Sequence, residues 1–255
     1  MKLDIILRTH DTSEVHVRPS KLRYPNVPKI EVIKKCVKSL VKSANLIDDV
    51  NIICLDDHST DDCKNSLFDI FKLSKHPVTF KELEFKGHNN SSYQQYLHAR
   101  DSNADLVYCI EDDYLHCESA LYEMLSDYKT FKTLTNNEVA LHPFDDPDNY
   151  KDKFITDAKV VQGMNRHWRT NTYTTYSFLS SPRVVKNNWN VFYLISKNYL
   201  TEIGQKYNIH EGTTINKIWK SQVNLFTPLP SLALHVQYDE NIDRLTDWKK
   251  WWNEV

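Results

Sequence analysis

Short apolar runs alternate with amphipathic segments along the first half of the chain. Apolar side chains at helical spacing, such as Ile30, Ile33 and Val37, follow the first run and predict a helix. A second helix is predicted by Leu67 and Ile70 after the second run. Strands that alternate with helices indicate an α/β fold with a largely parallel sheet. The predicted strands of this half are residues 3–9, 50–55, 78–85 and 106–110.

The second half of the chain is less regular. Leu121, Leu125 and Tyr128 recur at helical spacing and predict a further helix. The pattern then predicts strands at 139–142, 191–195 and 231–236, a Pro- and Asp-rich loop at 143–149, and helices at 196–207 and 213–221.

Composition narrows the possible functions. The 255 residues include 32 basic and 34 acidic side chains, so the chain lacks the positive field that nucleic-acid binding relies on. Its four glycines are too far apart for a GxGxxG motif or a P-loop. We see no repeat and no linker, and expect one domain over residues 1–255 that binds no nucleic acid. The sequence indicates no particular oligomeric state.

The cysteines and the apolar runs indicate the cellular compartment in which we expect the protein. Five cysteines without CxxC spacing are typical of a reducing interior. No apolar stretch reaches the roughly 20 residues that a membrane span needs, and we see no export signal. We therefore expect a cytoplasmic protein without a membrane span.

Carboxylates follow two of the predicted strands directly. Glu111, Asp112 and Asp113 come after the fourth strand, and holding three carboxylates together is costly without a cation. Mg²⁺ or Mn²⁺ would relieve the repulsion, whereas the alternative is a solvated loop with a helix cap. Residues 56–62, after the second strand, offer a nucleotide contact or ordinary helix-capping chemistry. Because strand ends meet at one edge of an α/β sheet, we expect both clusters to converge there.

Three motifs in order then resemble a known family. The runs IILRTHD, LDDHSTDD and CIEDDY are similar to strand ends of family 2-like glycosyltransferases of GT-A fold. The resemblance covers roughly the first 115 residues. It implies a mixed, mostly parallel sheet flanked by helices, with a nucleotide-sugar-binding half at 1–115 and an acceptor-binding half at 116–255.

The resemblance also assigns roles to individual residues. It implies that Asp57 contacts the nucleotide base and Thr9 the nucleoside, and we place Arg8 and Asp112 in the same nucleotide-sugar site. Asp113 corresponds to the metal-binding end of the family's DxD motif, with Glu111 in its first acidic position. The chain departs from the family pattern where Arg-Thr-His replaces Pro-Thr-Tyr, where Glu replaces the first Asp of the DxD motif, and where His replaces the Gly of DDGSTD.

A late histidine completes the implied metal site. His235 ends the predicted strand at 231–236, where GT-A enzymes often place a third metal ligand. An imidazole donor favours Mn²⁺ over Mg²⁺. The alternative is a histidine that fills a strand edge.

Inverting transfer requires a base near the acceptor hydroxyl. Glu211 opens a predicted helix ending at Trp219, in a segment that resembles the family's catalytic one, although a helix's first turn also favours a glutamate. Asp145 and Asp146 are reserve candidates.

Two further clusters combine basic and aromatic side chains. Arg169, in the run RHWRT at 166–170, suits pyrophosphate neutralisation, while a basic turn with a packed indole is the alternative. Trp248, Trp251 and Trp252 share one helical face, which suits a membrane interface or packing of a last helix.

Together these features predict a metal-dependent glycosyltransferase. We expect transfer from a nucleotide-sugar, with UDP favoured, to a hydroxyl of a glycan or other acceptor, and the resemblance implies inversion. One alternative is a nucleotidyltransferase of activated sugars, disfavoured because those enzymes usually need a Gly-rich phosphate loop. Another is a catalytically silent nucleotide- or sugar-binding module.

Overall fold

The structure is a computed structural model that describes residues 1–11, 27–150, 157–196, 211–236 and 245–255. The helices of these ranges are α1 (Lys29–Ala44), α2 (Asp61–Phe71), α3 (His88–Asp101), α4 (Ala120–Thr135), α5 (Pro182–Asn187), α6 (Trp189–Ser196), α7 (Asn216–Ser221) and α8 (Trp248–Glu254). The strands are β1 (Leu3–Thr9), β2 (Val50–Asp56), β3 (Val78–Glu82), β4 (Leu106–Glu111), β5 (Tyr114–His116), β6 (Val139–Leu141), β7 (Val160–Gln162), β8 (His167–Asn171), β9 (Phe178–Ser180), β10 (Asn224–Leu229) and β11 (Ala233–His235).

A mixed, mostly parallel sheet forms the centre of the fold, as the sequence predicts. Its order is β3-β2-β1-β4-β9-β6-β10-β8-β7. Strands β1, β2, β3, β4, β6, β7 and β10 run in one direction, and β8 and β9 run in the other. A separate antiparallel pair, β5 and β11, lies beside α1.

Helices cover both faces of the sheet. Along β1, Ile5 and Leu7 belong to the core that includes side chains of α1, α2 and α4. Ile6 points to the other face and belongs to the core with α3, α6 and α7. Because both faces are buried, β1 has three consecutive apolar residues, Ile5 to Leu7, instead of an alternating pattern.

The local predictions hold for the first half of the chain and fail in part later. The predicted strand at 191–195 is wrong, because α6 occupies this segment. Its aromatic residues have helical spacing: Trp189 and Tyr193 both contact Tyr93 of α3, and Phe192 packs into the core. The predicted strand at 78–85 ends at Glu82. The predicted helix at 196–207 lies outside the described residues after its first position.

The C-terminal tryptophans belong to a helix that packs on the body. Trp248 of α8 is buried, and Trp251 and Trp252 pack against the core beside α1. Three α1 lysines donate to main-chain oxygens at the end of α8, which suits the negative end of a helix dipole. Within the described ranges, no helix has both the length and the apolar character needed to cross a membrane.

A buried ion pair fixes α4 to the loop before β8. Arg166 donates to both carboxylate oxygens of Glu123, at 2.8 and 3.0 Å, and to the carbonyl oxygen of Pro230 at 2.7 Å. Asp127, one turn later on α4, accepts the indole N–H of the fully buried Trp168 at 2.7 Å. These bonds hold the second half of the sheet against α4.

Removing this carboxylate should destabilise the fold. We expect Glu123→Ala to lower the free energy of unfolding by about 3 kcal/mol, because the guanidinium of Arg166 loses its charge partner in a mostly buried position. Urea denaturation measures the change, and Glu118→Ala, at an exposed position just before α4, is the matched control. Equal stability of the two variants would contradict the structural role given to the pair.

Candidate functional site

The ends of β1, β2 and β4 converge at one edge of the sheet. The N–H of Asp57 donates to the carbonyl oxygen of Thr9 at 2.9 Å. One carboxylate oxygen of Asp112 accepts both the Thr9 hydroxyl at 3.0 Å and the N–H of His10 at 2.8 Å. Asp112 therefore holds the end of β1 in place. The two acidic clusters of the sequence meet here, because parallel strands end on the same side.

Three side chains form a group with metal-binding geometry. Glu111, Asp113 and His235 each offer one ligand atom, and these atoms all lie within 4.8 Å of one another. Pairing of β5 with β11 brings His235 across from Tyr114, and the N–H of Val236 donates to the carbonyl oxygen of Asp113 at 2.7 Å. Two carboxylates and an imidazole are a donor set that fits Mn²⁺.

The environment of His235 is set by burial and by the two acids. Its Nε2 lies 3.4 Å from Oδ1 of Asp113. Burial alone would lower the pKa of His235, but the charges of Asp113 and Glu111 outweigh it and raise that pKa. The ring also stacks on Tyr114, with centroids 4.5 Å apart and planes within 7°. The histidine is therefore oriented before any ion binds.

Arg8 is engaged within the protein. Its guanidinium forms an ion pair with Glu111 and donates to Ser92 and to the carbonyl oxygen of His88. The same guanidinium lies 5.6 Å from the ring centre of Tyr176. Burial raises the pKa of Glu111 and the charge of Arg8 opposes that rise. A metal ion at the site would thus share Glu111 with Arg8.

The carboxylate of Asp57 is also held in place. Both of its oxygens accept the N–H of Gly87, at 2.8 and 3.0 Å. Gly87 has a φ of 126°, a conformation that a residue with a side chain rarely adopts, so glycine suits this contact. The contact fixes Asp57 beside the end of β1.

Glu211 lies in a short 3₁₀ helix, Glu211–Thr213, instead of opening the predicted longer helix. The α-helical part starts only at Asn216, because the first turn is closed by the N–H of Thr214 donating to the carbonyl oxygen of Glu211. The carboxylate accepts the hydroxyl of Thr174 at 2.7 Å and the N–H of Tyr176 at 3.2 Å. Burial raises the pKa of Glu211 to about 8, with the charge of Glu111 adding to the effect.

The residues of the basic run at 166–170 face opposite sides of the sheet and have different contacts. Arg166 and Trp168 are structural, as their bonds to α4 show. Arg169 points to the opposite face of β8, where its Nη1 lies 4.0 Å from Oδ1 of Asp145 and its guanidinium lies 4.9 Å from the ring centre of Tyr150. The reserve candidates Asp145 and Asp146 are both buried.

Sequence reasoning missed several residues that support the site. Thr174 and Tyr176, which stand in no motif, bind Glu211. Tyr114, which ends the CIEDDY run but received no role from it, stacks on His235. Only the aromatic and hydroxyl content of residues 168–179 hinted at such a supporting loop.

Comparison with known proteins gives one family and one fold. The model of glycosyl transferase family 2 matches residues 25–204. Among solved structures, S. aureus TarS superposes with a TM-score of 0.50 and 12% identity over 89% of this chain and 36% of TarS. This chain therefore spans about a third of the TarS chain.

Two further matches are more distant in structure. TarS 1-349 in complex with UDP-GlcNAc has a TM-score of 0.46 and 15% identity, covering 77% of this chain and 53% of that one. Mannosyltransferase PcManGT from Pyrobaculum calidifontis, in complex with GDP-Man and Mn2+, has a TM-score of 0.41 and 12% identity, covering 58% and 37%. Among curated protein sequences, none matches this chain.

Proposed function

The chain belongs to glycosyl transferase family 2, and we propose that it transfers a sugar from a UDP-sugar to an acceptor hydroxyl with the help of a divalent cation. The observation that carries the proposal is the group formed by Glu111, Asp113 and His235 at the carboxyl edge of the sheet. This edge is where open α/β sheets bind ligands. The ends of β1 and β2, with Thr9 and Asp57, lie beside it.

The three side chains would hold the cation, for which the donor set suits Mn²⁺. When bound, the ion supplies positive charge against the diphosphate that leaves the donor. Arg8 orients Glu111 and favours its charged form against the opposite effect of burial on the pKa of Glu111. Thr9 and Asp57 orient the nucleoside, and Asp112 holds the strand end on which Thr9 lies.

Glu211 is the proposed base. Its carboxylate is fixed by Thr174 and Tyr176, and burial gives it a raised proton affinity. A base must take the proton from the acceptor hydroxyl as that oxygen attacks the anomeric carbon. A carboxylate whose pKa is about 8 is strong enough to share that proton near neutral pH. Attack opposite the departing nucleotide would invert the anomeric centre.

A donor screen tests the proposal directly. The purified protein is incubated with Mn²⁺ and a panel of UDP- and GDP-sugars, and release of nucleoside diphosphate is measured with and without a mixture of simple glycosides. We expect release from a UDP-sugar that stops when a chelator removes the metal. Metal-dependent UDP binding without release under any acceptor would identify a binding module and contradict the proposed transfer.

A further inference from the structure

A row of polar side chains crosses the second half of the sheet at its carboxyl edge. Thr227 of β10 pairs with Arg169 of β8. His142 follows β6, and its N–H donates to the carbonyl oxygen of Phe226 at 2.9 Å, which places His142 beside Thr227 on the other side. Asn171 is two residues from Arg169 on β8 and shares its face. We call His142, Thr227, Arg169 and Asn171 the polar row.

Three members of the polar row have hydrogen-bonding capacity that the described residues do not use. These atoms are Nε of Arg169, Nδ2 of Asn171 and Nε2 of His142. The side chains are nearly inaccessible, with exposed fractions of 7%, 5% and 0%. A buried polar atom without a partner costs roughly 1–3 kcal/mol, and such atoms are rare in folded proteins. Three of them on one face indicate a ligand that supplies the missing bonds.

The charge of the site limits the class of that ligand. Asp145 lies 4.0 Å from Arg169 and also accepts the hydroxyl of Tyr150 and the side-chain N–H of Asn149 at 3.1 Å. Its carboxylate offsets the guanidinium, so the row has no excess positive charge to select an anion. Tyr150 is 58% exposed and covers Arg169 with its ring, offering a flat apolar surface beside the polar row. Donors, acceptors and an aromatic face together suit a neutral, hydroxyl-rich ring.

The polar row begins beside the metal group and runs away from it along the sheet. The ring centre of His142 lies 6.2 Å from that of Tyr114, which stacks on His235. Arg169 on β8 lies two strands beyond β6, which at about 4.8 Å per strand is about 10 Å further from the metal group. Thr174, three residues after Asn171, donates to Glu211, so the row continues toward the proposed base.

We propose that the polar row and Tyr150 bind the acceptor, and that the acceptor presents a neutral pyranose there. This inference rests on the proposed glycosyl transfer and assigns Arg169 to the acceptor instead of the nucleotide-sugar. The guanidinium and the amide of Asn171 donate to ring hydroxyls, and Nε2 of His142 accepts one when its Nδ1 donates to the carbonyl oxygen of Ser177, 2.6 Å away.

Binding of simple glycosides tests the inference. The intact protein, saturated with UDP and Mn²⁺, is titrated with methyl glycosides of glucose, galactose, mannose and N-acetylglucosamine, and with methyl glucuronide and inorganic phosphate as anionic probes. We expect a neutral glycoside to bind best, and Arg169→Lys and Asn171→Asp each to weaken it by about tenfold or more, because a site built to hydrogen-bond hydroxyls depends on each donor. Asn171→Asp keeps the oxygen that accepts the N–H of Thr172.

The control is Thr170→Val, on the same strand but the opposite face, which should bind the glycoside within about twofold of the unmodified protein. The inference is overturned if the unmodified protein binds no neutral glycoside, if an anionic probe binds more tightly, or if both variants bind as well as the control. Titration with UDP alone reports on the proposed function separately. UDP binding without glycoside binding would remove only the acceptor inference.

Discussion

Replacing Asp113 by asparagine should abolish metal-dependent nucleotide binding and lower the transfer rate by at least about 100-fold. The carboxylate lies between Glu111 and His235, and an amide cannot replace its charge toward a divalent ion. Asparagine keeps the size of the side chain, and the main-chain bond from Val236 to residue 113 is unaffected. Calorimetric titration of UDP, with Mn²⁺ and with a chelator, measures the binding.

The Asp113→Asn variant should remain folded. Removing one of two neighbouring carboxylates relieves repulsion, so the melting temperature of the variant should not fall, although His235 loses a partner. Glu118→Gln, at an exposed carboxylate seven residues beyond the end of β4, is the matched control and should bind UDP normally. If UDP binds equally to Asp113→Asn, or binds equally well in chelator, the carboxylate group is structural and the proposed metal site is wrong.

Sequence patterns were sufficient for the part of the fold whose signals are local. The strands β1, β2 and β4 are buried on both faces, so continuous aliphatic runs marked them, and Thr60 caps α2 by accepting the N–H of Cys63. The strands β5, β6, β7 and β9 have only three residues each. Partners distant in the chain stabilise β5, β6 and β9, whereas β7 pairs only with the following strand, β8. No periodicity can develop in three residues, which is why most of these strands were not predicted.

The candidate site also has features that the sequence could predict and features that it could not. Strand-end carboxylates could be placed together from sequence, because parallel topology brings strand ends to one edge. The pairing of Arg8 with Glu111 could not be predicted from sequence, because it depends on the β1–β4 register and on the position of α3. The role of Arg169 likewise depends on which face of β8 it occupies, and β8 itself had no clear pattern.

Replacing Glu211 by glutamine should lower the transfer rate by about 100- to 10,000-fold, the usual contribution of a positioned base. Glutamine keeps an oxygen that can accept from Thr174 and Tyr176, so the loop should keep its conformation. In the unmodified protein the carboxyl must lose its proton to act as a base. Because its pKa is about 8, the rate should rise with pH up to about that value, and the Glu211→Gln variant should lose this rise.

The same substitution should stabilise the protein at alkaline pH. Burial raises the pKa of Glu211 from 4.5 to about 8 on folding, so its favourable contribution is complete below pH 4.5 and is lost as the pH rises through about 8. Glutamine does not ionise, so Glu211→Gln should exceed the unmodified protein in free energy of unfolding at pH 9, by on the order of a few kcal/mol, and match it near pH 4. Urea denaturation at the two pH values measures this, with Glu84→Gln at an exposed position as control.

A residue that is only structural would lose stability on substitution at both pH values, whereas a buried base loses activity and gains stability. Loss of stability at pH 9 in Glu211→Gln would therefore remove Glu211 as the base and leave the buried Asp145 and Asp146 as the acids to test.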